Sequence, residues 1–242
     1  MSEVKGNGVL TSFHLKLIAI LSMTMDHVGA ALFPNANIGG FEYLRVIGRL
    51  AFPIFCFLIV EGFFHTRDVR KYLVRLFLFA LVSEVPFDVL FNNTGNLWAM
   101  QNIFCTLFLG LVAIYAIDDV REKKGQNTFA ISAILVAVAI VAHFANVDYA
   151  ELGIFYIVLF YLYRGRNLQI FLILVVLNLL FCGASNIQMF SALAVPIIAC
   201  YNGRQGPKVK YLFYMYYPLH LAIITGIYVC LYGHMPTDYF KW

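Results

Sequence analysis

From about residue 13 to residue 232 the chain is a near-unbroken succession of apolar runs. The short polar segments between the runs hold almost all of its lysines and arginines. Nine runs can be delimited, at about 13–34, 41–64, 72–91, 100–118, 128–146, 150–163, 168–183, 188–201 and 211–232. About 20 apolar residues wound as a helix cross the hydrocarbon core of a bilayer, where backbone polar groups must be satisfied internally. The expected fold is therefore all-α: a polytopic integral membrane helical bundle of about nine transmembrane helices, with residues 1–242 forming a single domain. Composition agrees, because 62% of residues are hydrophobic and only 12% are charged, whereas soluble domains carry about 25% charged residues. The first run contains Lys16, Asp26 and His27 and lacks a convincing small-residue cleavage site. It is expected to remain as the first helix rather than to be removed as a signal peptide.

The basic residues orient the bundle. With the N-terminus inside, the cytoplasmic segments hold Lys5, Arg67, Arg70, Lys71, Arg75, Arg121, Lys123, Lys124, Arg164, Arg166, Arg204, Lys208 and Lys210, and the outer segments hold only Lys241. Cytoplasmic loops of membrane proteins carry such an excess, so nine spans place the N-terminus inside and the C-terminus outside. The net charge of +4 is then orientation signal plus three embedded cations, and gives no support to nucleic-acid binding. A basic inner face suits anionic lipid or the phosphates of a cytosolic co-substrate.

Ionisable groups inside spans are costly, on the order of 2.5–3.5 kcal/mol each at mid-membrane, and so mark function or deliberate pairing. Lys16 and His27 lie eleven residues apart, which on a helix is a displacement of about 20° and a rise of about 16 Å. His27 and Asp26 fall in the outer half of the first span, with Arg45 and Arg49 in the first turns of the second. Glu84 and Asp88 flank Pro86 in the third, Gln101 and Asn102 open the fourth, and Asp148 and Glu151 precede or open the sixth. The arginine pair and the Glu84/Asp88 pair could neutralise each other across a hairpin, which would only lock helices together. Towards the inner face lie Lys16, Glu61, His65 and Asn202. Glu61 and His65 are spaced as a helix-end ion pair, and Asn202-Gly203 reads as a turn. In the last span Pro218 frees a carbonyl near Tyr214, two residues before His220.

The five cysteines (Cys56, Cys105, Cys182, Cys200, Cys230) all lie in apolar runs without metal-ligand spacing, and read as small packing residues; no metal is expected. Asn92-Asn93-Thr94 is a formal glycosylation triplet that reads as a turn.

Several blocks resemble a known family. Lys16 and His27, in the context LKLIAILSMTMDHVGA, resemble the basic-x10-His signature of the acyltransferase-3-like membrane acyltransferases. The blocks LRVIGRLAFPIFCFLIVEGFFHTRD, LFALVSEVPFD, QNIFCTL, YNGRQG and KYLFYMYYPLHL are more closely similar to the TraX family, named for the conjugative F-pilin acetylase. The resemblance runs from about Leu15 to Leu221. It implies a multi-pass protein of the bacterial inner membrane that moves an acetyl group from cytosolic acetyl-CoA to an acceptor protein or glycan at the outer face. In pilin-type members the acceptor is the N-terminal amine of the processed pilin. By motif match His27 takes the place of the catalytic histidine and Lys16 that of its basic partner. Tyr217-Pro218-x-His220 matches the closing-helix block. Arg45 and Arg49 stand in the place of paired arginines, but spaced R-x-x-x-R rather than R-x-x-R.

Attack of an amine or hydroxyl on a thioester needs a base and a stabilised oxyanion. His27 is the candidate base, and Glu84 or Asp88 is the expected carboxylate to orient it, since neighbouring helical side chains such as Asp26 diverge by about 100°. Arg45 or Arg49 supplies the positive field. Lys16, Arg67, Arg70, Lys71, Arg75, Asn202 and Arg204 are the candidate CoA-binding residues. Direct transfer and an acetyl-histidine intermediate both fit. A transporter or proton-coupled permease is the competing reading of the same embedded cluster.

Overall fold

A computed structural model describes residues 8–33, 42–91, 99–207 and 209–236. The described residues form α1 (Ser12–Leu32), α2 (Glu42–Gly48), α3 (Ala51–His65), α4 (Val69–Phe91), α5 (Ile103–Lys124), α6 (Thr128–Phe144), α7 (Ala150–Leu162) and α8 (Asn167–Cys182). A 3-10 helix (Ile187–Leu193), α9 (Ala194–Ala199) and α10 (Lys210–Tyr232) complete them. Each of the nine expected runs is helical. Four stretches are long and apolar enough to cross a membrane: Ser12–Leu32, Glu42–His65, Ile103–Lys124 and Tyr211–Tyr232. The chain is a membrane protein.

Two expected spans are not continuous α-helices. The second is interrupted at Arg49–Leu50, and Pro53 supplies the reason: it has no N–H for the carbonyl of Arg49, four residues back. The backbone tightens there, with Leu50 N donating to Ile47 O at 3.2 Å, a 3-10 spacing. The eighth run divides into the 3-10 helix and the short α9, with Pro196 in the first turn of α9. Pro86 and Pro218, by contrast, sit inside helices that continue through them.

Helices α1, α3, α4, α5 and α10 surround an internal cavity. Helix α7 packs behind them, against α3, α5, α6 and α8. Its 13 residues include nine buried ones, so it is apolar all round because protein rather than lipid covers it. Large apolar side chains on α4, α6, α8 and α10, among them Val85, Phe144, Leu180 and Leu231, face outward.

Buried polar side chains pin the bundle at both ends. Glu61 lies within pairing distance of His65, as expected, at 3.8 Å, and also takes a two-point ion pair from Arg164, at 2.6 and 3.1 Å. A guanidinium matches a carboxylate with two parallel bonds, which an imidazole cannot, and His65 turns its Nδ1 to the Glu61 carbonyl, at 2.8 Å. Further along the bundle, Asn178 donates to Ser191 at 2.9 Å and accepts from the Tyr156 hydroxyl. The cysteines, among them Cys182 and Cys230, are free thiols. Asn92-Asn93-Thr94, Lys5, Lys208 and Lys241 lie outside the described residues.

Removing one partner of a buried ion pair strands the other charge, at a cost of about 3–5 kcal/mol. Arg164→Ala should therefore lower stability more than the double variant Glu61→Gln/Arg164→Ala, as read by thermal unfolding in detergent.

Candidate functional site

Asp26 organises the charged part of the site. Its carboxylate takes Arg45 Nη1 at 2.9 Å and, through its other oxygen, Arg49 Nη2. The expected pairing of these arginines with Glu84 and Asp88 is thus replaced by one with α1. Two glycines let α1 and α2 approach closely enough for it. A Cβ at Gly48 would fall on the side chain of Asp26, and one at Gly29 would lie 3.1 Å from Leu44 Cβ. The break caused by Pro53 falls at Arg49, which also reaches the Tyr149 hydroxyl at 3.3 Å and Gln188 Oε1 at 3.4 Å.

His27 faces the other way. Its Nδ1 lies 2.7 Å from Nε2 of His220, and the two rings are parallel within 11°. The tautomers follow from the chain of partners. His220 Nδ1 is 3.0 Å from the Tyr216 carbonyl, which can only accept, so this nitrogen carries the hydrogen. Nε2 of neutral His220 then accepts, and His27 Nδ1 must donate to it. Nε2 of His27 is left with its lone pair, as a base requires. A histidine held by a carbonyl therefore does the orienting expected of Glu84 or Asp88. Glu84 is engaged elsewhere: it accepts from the side chain of Asn102, whose amide also donates to the Ala80 carbonyl at 2.8 Å. It thereby ties α4 to the start of α5, and Asp88 lies one turn further along α4. The carbonyl bound by His220 is that of Tyr216, not the Tyr214 carbonyl that Pro218 frees.

The cavity has a volume of about 400 Å3, within the range of small-molecule sites. Its mouth lies among His65, Thr66, Gln205, Gly206 and Val209, and its far end at Met23, Ile103 and Tyr217. From α1 it is lined by Ser12, Lys16, Ile20 and Met23, one residue per turn on a single face. The next residue on that stripe is His27. From α10 it is lined by Phe213, Tyr214 and Tyr217, and the next residue is His220. The Tyr217 ring stands between cavity and histidines, 6.2 Å from His27 and 5.5 Å from His220.

Of the candidate CoA-binding residues, Lys16 and Arg75 line the cavity. The Lys16 ammonium lies over the Phe213 ring at 5.3 Å, and Arg75 lies over Tyr72 at 5.5 Å. Arg67 and Arg204 flank the mouth in sequence, beside Thr66 and Gln205. Arg70 and Lys71 are exposed in the first turn of α4. Asn202 is a turn former, accepting from Arg204 N at 2.9 Å.

Sequence reasoning passed over Tyr149 and Gln188 as partners of Arg49, and gave no role to Asp148. The segment before α7 carries positive φ at Asn146, Tyr149 and Ala150 (50°, 60° and 41°), a conformation costly for residues other than glycine. It is held by paired bonds to Gln101, at 2.9 Å each, by Thr106 donating to the Asp148 carbonyl, and by Tyr149 stacked on Phe52 at 3.9 Å. The one sequence signal was an acidic residue just ahead of a helix made wholly of apolar and aromatic residues save Glu151. Burial pushes the Asp148 carboxyl up to about 7, with Arg49 pulling it down and Asp26 pushing it further up.

The sequence profile described as TraX protein matches residues 12–228 of this chain. The chain belongs to the TraX family. Among curated proteins it is 31% identical to the probable fimbrial assembly protein FimC (serogroup H1) of Dichelobacter nodosus, over 89% of this chain and 95% of that one. It is 28% identical to an uncharacterized protein of Rickettsia prowazekii, over 58% of this chain and half of that one. No solved structure matches. This TraX-family chain thus has a relative named for fimbrial assembly.

Two outcomes test the site. Asp26→Ala leaves two arginines facing each other and should cost about 3–5 kcal/mol, read as a fall in unfolding temperature. A carboxyl whose pKa is raised by folding stabilises the fold at low pH and loses that contribution as pH climbs to the raised value. Stability should therefore decline between about pH 4 and 7 through Asp148, and Asp148→Asn should flatten that part of the profile.

Proposed function

We propose that the protein is an acetyltransferase of the inner membrane, moving an acetyl group from cytosolic acetyl-CoA to an acceptor at the outer face. The acceptor fits a protein amine such as a pilin N-terminus, in keeping with the fimbrial relative. Nine membrane-crossing segments, N-terminus inside, would put the cavity mouth with the basic loops in the cytoplasm and the histidine pair in the outer half.

The observation that carries this reading is the pair of stripes leading from the cavity to the histidines. Lys16 and Arg75 give the cavity positive charge, and Arg67, Arg70, Lys71 and Arg204 surround its mouth, suited to the phosphates of CoA. Apolar walls suit its uncharged arm. The phosphates need never enter the lipid, a large saving in desolvation. At the far end, Nε2 of His27 takes a proton from the attacking nitrogen as the N–C bond forms. It returns that proton to sulfur as the C–S bond breaks. Arg45 and Arg49 are held by Asp26, the residue next to His27, and their positive field favours charge building on the carbonyl oxygen. Membrane lipid surrounds the bundle, and no role for nucleic acid or metal is invoked.

The transporter reading would need solute to pass the plane of Tyr217 and the two histidines, and no feature favours it over the acetyltransferase. His27→Ala should abolish acetyl transfer while the protein still inserts and unfolds cooperatively. Acetyl-CoA should raise the unfolding temperature of both forms, and Arg75→Gln should weaken that shift. Intact-mass comparison of envelope proteins and glycans, with and without this chain, should show a difference of one acetyl group, about 42 Da. Full turnover by His27→Ala would remove it from the base role.

A further inference from the structure

The cavity stops one helical turn short of the histidines. Its last lining residue on α1 is Met23 and on α10 Tyr217. His27 and His220 follow four and three positions later, a rise of about 4.5–6 Å. The ring of Tyr217 fills that turn. Tyr217 is only 4% exposed although it lines the cavity. It packs edge-on against Phe104 of α5 at 5.2 Å and meets both histidine rings. Phe104 lines the cavity too, but its ring contacts among the described residues are to Phe79, Tyr214 and Tyr217. His27 also meets Phe91 of α4 edge-on at 5.2 Å and lies stacked on His220 at 5.0 Å. The imidazole is therefore packed among three rings at contact distance. Of those three, Tyr217 is the one that lines the cavity.

We propose that Tyr217 restricts the acyl donor to a short chain, because its ring sets the room in which acyl carbons can lie beside His27. This rests on the acetyltransferase reading and adds the basis of donor choice. The reason is one of fixed lengths. With the phosphates of CoA held at the basic mouth, the arm reaches the same depth whatever acyl group it carries. The acyl carbons must then fit into the last turn, between the sulfur and the imidazole. An acetyl methyl needs little room there, whereas each further methylene competes with the tyrosine ring. A packed apolar wall yields little volume, and one methylene too many in an apolar site is discriminated about 10–200-fold. The reaction is the same for any chain length: the N–C bond forms, the C–S bond breaks, and the proton passes from nitrogen through His27 to sulfur. A longer donor fails for want of space, not of reactivity.

The test uses full-length protein in lipid vesicles, a membrane-inserted peptide with a free N-terminal amine, and acetyl-CoA and butyryl-CoA as donors. Wild type should prefer acetyl-CoA by at least about 100-fold in kcat/KM. Tyr217→Ala should bring the two donors within about tenfold, by raising kcat/KM for butyryl-CoA above the wild-type value. A structural role alone lowers both donors together and creates no new activity. Tyr217→Phe keeps the ring and should keep the preference. Thermal unfolding gives a readout that needs no turnover: butyryl-CoA should stabilise Tyr217→Ala as strongly as acetyl-CoA does, and wild type less strongly. The proposal is overturned by a wild type that takes both donors equally, by a preference unmoved in Tyr217→Ala in both readouts, or by a preference lost in Tyr217→Phe. Each of those results leaves acyl transfer standing. Failure of wild type with both donors, without stabilisation by acetyl-CoA, fails the underlying enzymatic reading and this proposal with it. Should Tyr217→Ala not fold, Tyr217→Leu removes the ring while filling the space near Cβ, and the same outcomes decide.

Discussion

The structure depends on one carboxylate. Asp26 on α1 accepts from both Arg45 and Arg49, and without it two guanidiniums would be buried side by side in the apolar part of the bundle. Burial of either charge alone would be prohibitive, and shared burial is tolerable because the carboxylate meets each arginine with a separate oxygen. Three local features make this geometry available. Glycines at 29 and 48 remove the side chains that would hold α1 and α2 apart. Pro53 breaks the helix so that Arg49 leaves the regular backbone where it must turn inward.

Because Asp26 is committed to the arginines, His27 is free to point elsewhere. Adjacent residues on a helix diverge by about 100°, so one turn of α1 serves two neighbourhoods: an arginine pair on one side and a histidine pair on the other. His220 completes the second. The carbonyl of Tyr216 fixes its hydrogen on Nδ1, and this in turn fixes the hydrogen of His27. A backbone carbonyl thus orients both imidazoles, with no further charge brought into the bundle.

The helical segments were legible in the sequence because apolar runs bounded by basic loops leave little choice of structure. The side-chain partners were less so. Depth along each helix could be read, and it grouped Asp26, His27, Arg45, Arg49, Glu84 and Asp88 in one layer. Which of them touch depends on helix azimuth and neighbour order, and a sequence of mostly apolar faces does not encode these. So the arginines meet Asp26 on α1 rather than the acids of α4, and Glu61, besides its helical neighbour His65 at 3.8 Å, holds Arg164 from more than a hundred residues away. The interruption at Arg49 was readable in retrospect from Pro53. Asp148 was visible only as an acid near a helix start. Its importance comes from the left-handed backbone that follows, which no glycine announced.

The two ends of the cavity place opposite demands on charge, and the chain separates them along the helix axes. The mouth, among exposed residues such as Gln205 and Gly206, can carry excess positive charge, because water screens it. The buried cluster at Asp26 and Arg49 cannot, because little water reaches it, and its formal charges nearly cancel. Near cancellation makes such a cluster responsive: adding or removing one proton changes its net charge by a whole unit where screening is weak. A fully paired cluster would be more stable and would respond less. The strained turn at Asn146–Ala150 carries a cost in folding energy of its own, met by its bonds to Gln101 and Thr106 and by the stacking of Tyr149 on Phe52.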